Sequence, residues 1–524
     1  MKSSLLTCLS LLLATLSICM LGACSDVAVE QAPEGFGGNA GGKYIQISVT
    51  ANGLQTPYGS RASRSMRKST TPTPPNGGEE GDGTETGFGN EFDVKQVSVL
   101  LYKEPDNVPI PTNGLINISR EEAEKIPVWV RCFNTMRDVQ LSGTGTENII
   151  YTTGAQELPK EFTKGKYRIL VVANKELAYL DGRSLADLRD YVCSNEPFDY
   201  GKNADGTTNY DDLSKCSNFA MASVQEQQIV IGDDITGHQG EGTENNPYVP
   251  IGGNIELERL AARIDFAQKE EAGKCTWNEA DSCYDYAVID QTTQKQVATF
   301  KLTHIFPFNI TKQGYVFKHT TTLTDTTTCN YLGRETETTK NDGAWIKHYA
   351  SNYVLDPKTL VKGKADAVFG QYFVTELQQT VLANYAKILW KSCKVKSPNQ
   401  MHHETEGNKK FNILCYTAEN TLTIDAQKSP LMAHYTAGLR FYGKYVKKGD
   451  DASTAPYIAL DWFLRHSAPD GVVNPNLPMS YGVVRNNIYR VFIQSIGEQK
   501  GQLELKTQVS VVPWAQYTHT EIVM

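Results

Sequence analysis

The sequence predicts a mainly β protein, with sandwich domains and a few short helices, and three observations carry that reading. Apolar and polar residues alternate with a period of two in several separate segments, as strands with one buried face require. The runs KYRILVVANK, GLRFYGKYV and NNIYRVFIQSI are nearly continuously apolar, the composition of strands covered on both faces. Helical spacing is scarce: SLADLRDYV and ELQQTVLANYAKILW place apolar residues three and four apart, and both read as excursions between strands. At 524 residues and 40% hydrophobic composition, the chain can fill two ordinary cores rather than one.

The chain opens on a targeting leader, residues 1–23. Lys2 supplies its positive start, LLTCLSLLLATLSICM its apolar stretch, and Leu21, Gly22 and Ala23 the small residues before Cys24. A cysteine at that point is the bacterial lipoprotein pattern, in which the leader is removed and Cys24 becomes the lipidated first residue. Acyl chains there would hold the precursor on a membrane without spanning it, at about 0.8 kcal/mol per buried CH₂. Residues 25–42 then form a flexible tether.

The first predicted strand is YIQISVT, residues 44–50. Its Ile45, Ile47 and Val49 share one face, with Gln46, Ser48 and Thr50 on the other. SRASRSMRKSTT follows at residue 60 and places Arg61, Arg64, Arg67 and Lys68 where there is little to bury, a target for a basic-specific protease. Residues 62–92 are rich in Pro, Gly, Thr and acidic residues, almost without aliphatics, and read as a linker. Residues 93–250 form the first predicted sandwich, starting from KQVSVLLY with Val97, Val99 and Leu101 alternating. A polar Gly-rich stretch at 232–253 marks the boundary, and IELERLAARIDF opens the second sandwich, residues 251–500. In the last segment, 501–524, Leu503, Leu505, Thr507, Val509 and Val511 alternate without error against Glu504, Lys506, Gln508 and Ser510. Pro513 interrupts that strand and Trp514 begins a further extended stretch.

The residues argue against several function classes. A net charge of -8 gives no basic field for nucleic acid. No H-E-x-x-H, G-x-S-x-G or nucleotide-binding glycine fingerprint occurs, so neither catalysis nor a cofactor is expected. The adjacent His402 and His403 point to opposite faces of a strand, next to Glu404 and Glu406, and read as surface polarity. Asn203, Asp205, Gly206, Asn209 and Asp212 have offsets like those of a calcium loop, but its first ligand position falls on Gly201, and no metal is expected. Of eleven cysteines, eight remain after Cys8, Cys19 and Cys24, and an even number in an exported chain favours disulfides. Connectivity is open, with Cys275–Cys283 and Cys193–Cys216 the natural neighbours.

GVVRNNIYRVFI (residues 482–493) and the terminal VSVVPWAQYTHTEIV resemble the strands that close the Bacteroidales-type fimbrillins, the subunits of type V pili, above all the shaft subunit of the shorter, minor fimbria. GKYRILVVANK is similar to a strand of that family's first domain, and LERLAARIDF to the start of its second. The resemblance implies two transthyretin-like β-sandwich domains and a non-enzymatic structural subunit. It also implies a lipoprotein precursor carried to the outer membrane and cut by a trypsin-like, Arg-specific protease after its first strand. Gly59, Ser60 and Arg61 match the family's cleavage pattern, so Arg61 is the first choice, Arg64 the second and Arg67 the third. By the same resemblance the strand of Tyr44, Ile45, Ile47 and Val49 leaves, and its groove receives the C-terminal strand of another subunit, here Leu503, Leu505, Val509, Val511 and Trp514. The implied partners are further copies of the chain and accessory tip and anchor subunits, in a cell-surface fimbria serving adhesion, biofilm formation or host colonisation. A tip or anchor component, and a surface glycan-binding lipoprotein, are the competing readings.

Overall fold

The structure, a computed structural model, describes residues 42–51, 85–86, 88–106, 118–133, 137–140, 149–193, 196–224, 226–232, 240–268, 270–321, 330–331, 353–357, 392–403, 410–422, 428, 435–465 and 481–515. It is mainly β, as the period-two pattern predicts. A nine-stranded sheet runs in the order Trp129–Phe133, Val97–Lys103, Gly165–Ala173, Met221–Ser223, Ile255–Arg259, Ser48–Thr50, Ile149–Thr152, Arg137–Gln140, with Gln227–Ile231 also paired to Gly165–Ala173. The spine of a twelve-stranded sheet runs His402–His403, Lys410–Thr417, Ala262–Ala267, Asn487–Gln499, Cys283–Asp290, Gln296–Phe308, Gly438–Lys447, Tyr457–Phe463. Only two residues, Leu260 and Ala261, separate the last strand of the first sheet from the first long strand of the second.

The continuous apolar run of Gly165–Ala173 has the cause read from sequence. Tyr167, Ile169, Val171 and Ala173 enter one buried cluster while Leu170 and Val172 enter another, so this strand is covered on both faces. The neighbouring Val97–Lys103 strand divides the same way, Val97, Val99 and Leu101 on one side and Leu100 and Tyr102 on the other. Short helices cover the second face. Leu185–Arg189 starts from a capping box, in which the Ser184 hydroxyl accepts the Asp187 N–H and the Asp187 carboxylate accepts the Ser184 N–H. That is the helix expected from SLADLRDYV, ended after five residues. The second expected helix, residues 376–390, lies outside the described residues.

The cysteine expectation is corrected. Cys132, Cys193, Cys275, Cys283 and Cys415 are free thiols, so neither Cys275–Cys283 nor Cys193–Cys216 is formed, and Cys329 lies outside the described residues. Cys275 and Cys283 share a hairpin but stand opposite Tyr286 and Asn278, so the register keeps them apart. Cys193 and Cys216 are buried in two different clusters. An even count of thiols does not impose pairing, and the buried thiols here serve as small apolar core residues.

Candidate functional site

The first strand of the chain occupies an interior place in the nine-stranded sheet. Ser48–Thr50 runs parallel to Ile255–Arg259, with Val49 opposite Ile255, and antiparallel to Ile149–Thr152, with Ser48 opposite Thr152. Just before it, Tyr44–Ile45 pairs with Gln156–Glu157 and bridges to Tyr248. The alternation of YIQISVT is realised side by side: Ile45 is 1% exposed and Ile47, Val49 and Ala51 are 0% exposed, all within the main core. Main-chain groups on both flanks are engaged, with Gln46 N–H donating to Tyr248 O at 2.9 Å and Thr153 N–H donating to Ile47 O at 2.9 Å. The Ile47 N–H donates to Thr153 Oγ1 at 3.0 Å, and the Lys43 ammonium donates to Phe162 O at 2.8 Å.

This geometry gives the segment a particular property. Its neighbours Ile255–Arg259 and Ile149–Thr152 are each held in the sheet from their other side, by Met221–Ser223 and Arg137–Gln140. Withdrawing residues 44–51 would therefore leave a slot with two unpaired strand edges and an apolar floor, while the flanking strands keep one partner each. Any replacement must supply an extended backbone and apolar side chains at every second position.

A polar hub that the sequence pattern did not reveal anchors the chain where description resumes after the basic cluster. Glu91, at the end of the 3₁₀ turn Gly89–Glu91, is 0% exposed. Its carboxylate pairs with Arg263 at 3.2 Å and accepts the Tyr416 hydroxyl at 2.5 Å and the Phe88 N–H at 2.6 Å, while its carbonyl accepts Arg259 Nε at 2.8 Å. Asp265 joins Arg263 to Arg490 at 3.1 and 3.2 Å. Burial pushes the Arg259 guanidinium down to about 9, with Arg263 acting the same way and Glu91 opposing both. For Arg263 the cost of burial is overcome by Asp265 and Glu91, which raise its pKa above the usual arginine value. Asn486, in the left-handed region at φ 56°, presents its side-chain oxygen to Arg259 N–H and NH1 at 3.2 and 3.1 Å. Aromatic rings close the hub: Phe92 lies under Arg259 at 4.2 Å, and Phe411 under Arg490 at 4.3 Å. Buried charges carry no periodic signature, and the only cue in GFGNEF was an acidic residue between aromatics.

The terminal strand, Gln502–Ala515, forms a hairpin with Asn487–Gln499, in register from Gln499 opposite Gln502 to Asn487 opposite Pro513. The predicted alternation is realised where side chains are described. Leu503, Leu505 and Thr507 are half-buried, Glu504 and Lys506 exposed, and Val509 1% exposed. Val511 and Trp514 lie on the strand backbone, Val511 opposite Tyr489. At its end, Trp514 and Ala515 pair in parallel with Glu85 and Thr86. Pro513 is thus within the strand rather than a break between two, because it ends the pairing to Asn487–Gln499 where its missing N–H is not needed by a further register pair.

Cys24, Arg61, Arg64, Arg67 and Lys68 lie outside the described residues. The side chains of the calcium-like loop are spent on its own turns: Asp205 accepts from Thr207, Asn209 from Asp211 and Asp212, and Asp212 from Ser214. His402 stands opposite Phe411 and packs edge-on to Phe88 at 5.2 Å, with burial lowering its pKa.

No model of a known family matches the chain, and no curated protein does. Among solved structures, it is similar to a candidate cell adhesion protein from Parabacteroides distasonis, at 14% identity over 90% of this chain and 99% of that one, with a TM-score of 0.41. It is also similar to the C-terminally truncated tip fimbrial protein Mfa3 from Porphyromonas gingivalis, at 11% identity over 90% and 100% of the two chains and a TM-score of 0.35. A fimbrial assembly protein from Parabacteroides distasonis matches at 8% identity over 90% and 98%, with a TM-score of 0.28.

Proposed function

We propose that this protein is a non-enzymatic structural subunit of a cell-surface fimbria, made as an outer-membrane lipoprotein lipidated on Cys24. It assembles when an Arg-specific protease cuts at Arg61, or at Arg64 or Arg67, and the strand of Tyr44, Ile45, Ile47 and Val49 departs with the lipid. The slot is then filled by the C-terminal strand of another copy, through Leu503, Leu505, Val509, Val511 and Trp514. The subunit has two sandwich domains, and tip and anchor subunits end the fibre.

One observation carries the reading: the first strand is interior, buried on its apolar face and paired on both edges, yet it is joined to the body through a stretch that contains the basic cluster. While tethered, the strand has an effective concentration in the mM range at its slot, so a strand from a neighbouring molecule cannot compete. Cutting removes that advantage. An incoming strand with several large apolar side chains gains roughly 1.5–3 kcal/mol for each one fully buried, plus ladder hydrogen bonds, which makes a long-lived joint. N-terminal sequencing of polymer sheared from cells tests this: a start at residue 62 or within the next few residues is expected. A start at Cys24, or a single full-length band in unboiled gels, would favour a surface glycan-binding lipoprotein instead.

A further inference from the structure

The short strand Glu85–Thr86 has no part in the assembly cycle just described, and it touches the strand that must pass to a neighbour for assembly to proceed. It pairs in parallel with Trp514 and Ala515, the last two residues of the terminal strand. Two residues further on, Phe88 begins the segment locked by the Glu91 hub: Phe88 packs on Phe411 at 6.3 Å, Arg263 lies over the Phe88 ring at 5.5 Å, and Asn90 Nδ2 donates to Ser214 O at 2.9 Å. The hub residues come from four separate places in the chain, with Arg259, Arg263 and Tyr416 converging on Glu91 and Arg490 joined to Arg263 through Asp265. This segment is C-terminal to Arg61, Arg64 and Arg67, so it stays with the body when the first strand is cut away.

We propose that Glu85 and Thr86 are a clasp, anchored through Phe88, Asn90 and Glu91, that holds the end of the terminal strand on its own subunit and delays its transfer to a neighbour. Two features make the clasp suited to a brake. Its contact is two residue pairs long, small against the twelve register pairs of the terminal hairpin, so it is reversible. Its anchor is buried and only a few residues away, so the pairing strand is presented at high effective concentration and re-forms quickly after each opening. The terminal pairing also lies beyond Pro513, where the hairpin with Asn487–Gln499 has already ended, so the clasp is what keeps Trp514 and Ala515 in a sheet. The consequence for assembly rests on the terminal strand being the one passed between subunits; the clasp as a contact does not.

The test is Thr86→Pro in the full chain, which takes a main-chain N–H out of the two-residue strand and restricts its backbone without touching the hub, with Glu91→Gln as the variant that loosens the anchor. Hydrogen exchange of residues 512–515, read by mass spectrometry before any cleavage, should rise about tenfold in Thr86→Pro, the scale of losing one or two hydrogen bonds. Exchange in Gly165–Ala173 should stay the same in that variant. After addition of an Arg-specific protease, polymer should appear faster than from the parent chain, with the unfolding midpoint of the uncut chain unchanged. Unchanged exchange at residues 512–515 in both variants would overturn the clasp, and so would global unfolding of Thr86→Pro, which would make the strand part of the core. Raised exchange with an unaltered polymerisation rate would overturn its role as a brake. Absence of polymer from both parent and variants would instead overturn the assembly reading, with the exchange result still deciding the contact.

Discussion

His319 shows how a single side chain ties this fold to pH. Its ring is 3% exposed, stacks on Tyr315 at 3.8 Å, and its Nε2 lies 2.6 Å from the Arg189 carbonyl. Burial pushes its pKa down to about 3, the Arg189 carbonyl acts in the opposite sense, and the Arg485 and Arg189 guanidinium groups lower it further. Above pH ~6.5 the imidazole is neutral in both folded and unfolded chains and contributes no pH dependence. As the pH falls from ~6.5 towards 3, the unfolded chain takes up a proton that the folded one refuses, and stability drops by about 1.4 kcal/mol per pH unit. His319→Gln, which keeps a donor for the Arg189 carbonyl, should flatten that part of the profile. Urea midpoints measured from pH 7 to 4 check it, and an unaltered slope in the variant would show that other groups set the acid limit. The buried cysteines belong to the same scale: burial pushes the Cys275 and Cys283 thiols up to about 12, which makes them inert in the folded chain.

At the scale of elements, the first and terminal strands differ in how firmly they are built in. The first contributes Ile45, Ile47, Val49 and Ala51 to the core, and each is no more than 1% exposed. Ile47→Ala should cost the uncut chain about 2–5 kcal/mol, the range for truncating a fully buried large aliphatic residue. Because that strand departs under the proposed cycle, fibres from Ile47→Ala subunits should melt like the parent fibres. A matching loss in fibre stability would mean that residue 47 stays in place. The terminal strand is shallower, with Leu503 and Leu505 half-buried and Val509 the fully buried residue among those whose side chains are described. Deleting residues 503–524 should leave a chain that unfolds cooperatively and is still cut, but does not polymerise. Thermal unfolding and gel ladders decide: a deletion that unfolds the precursor makes the strand an obligatory part of its own sheet, and a deletion that still polymerises removes it as the donor.

At the scale of the whole molecule, the first described strand and the terminal strand are both sheet elements, and the basic cluster lies in the sequence between the first strand and the rest of the chain. Replacing Arg61, Arg64, Arg67 and Lys68 together should leave full-length lipidated monomer on the membrane, because the first strand then keeps its tether and its slot. The four replacements are needed together, since any remaining arginine offers an alternative site in the same stretch. Membrane fractionation and immunoblotting check this; assembled fibres from the quadruple variant would show that scission there is not the trigger. Inside the body, buried ion pairs at Lys318–Glu258 (2.7 Å), Arg485–Glu419 (2.8 Å) and Arg263–Glu91 (3.2 Å) join segments far apart in sequence. Such pairs add little net stability over apolar packing, but breaking one strands a buried charge, so they favour one arrangement of the sheets over slipped alternatives.

The period-two pattern by itself determined that the chain is mainly β and which faces of YIQISVT and of the terminal strand are apolar, and the continuous apolar run KYRILVVANK that Gly165–Ala173 is covered on both sides. Those properties follow from local alternation and composition, because a strand's side chains point to opposite faces whatever its partners are. The short helix at Leu185–Arg189 was legible for the same reason, since the three- and four-residue spacing of its apolar residues is a local pattern. Tertiary structure alone decided which strands become neighbours: that residues 48–50 lie between strands more than a hundred and two hundred residues away, and that Glu85–Thr86 meets the end of the terminal strand. It also decided that Cys193, Cys275 and Cys283 stay free thiols, because a disulfide requires a specific geometry between two backbones rather than an even count. The Glu91 hub lay beyond sequence reasoning altogether: a buried carboxylate is tolerable only where cations and hydroxyls from distant segments converge on it, and that convergence exists only in the folded chain.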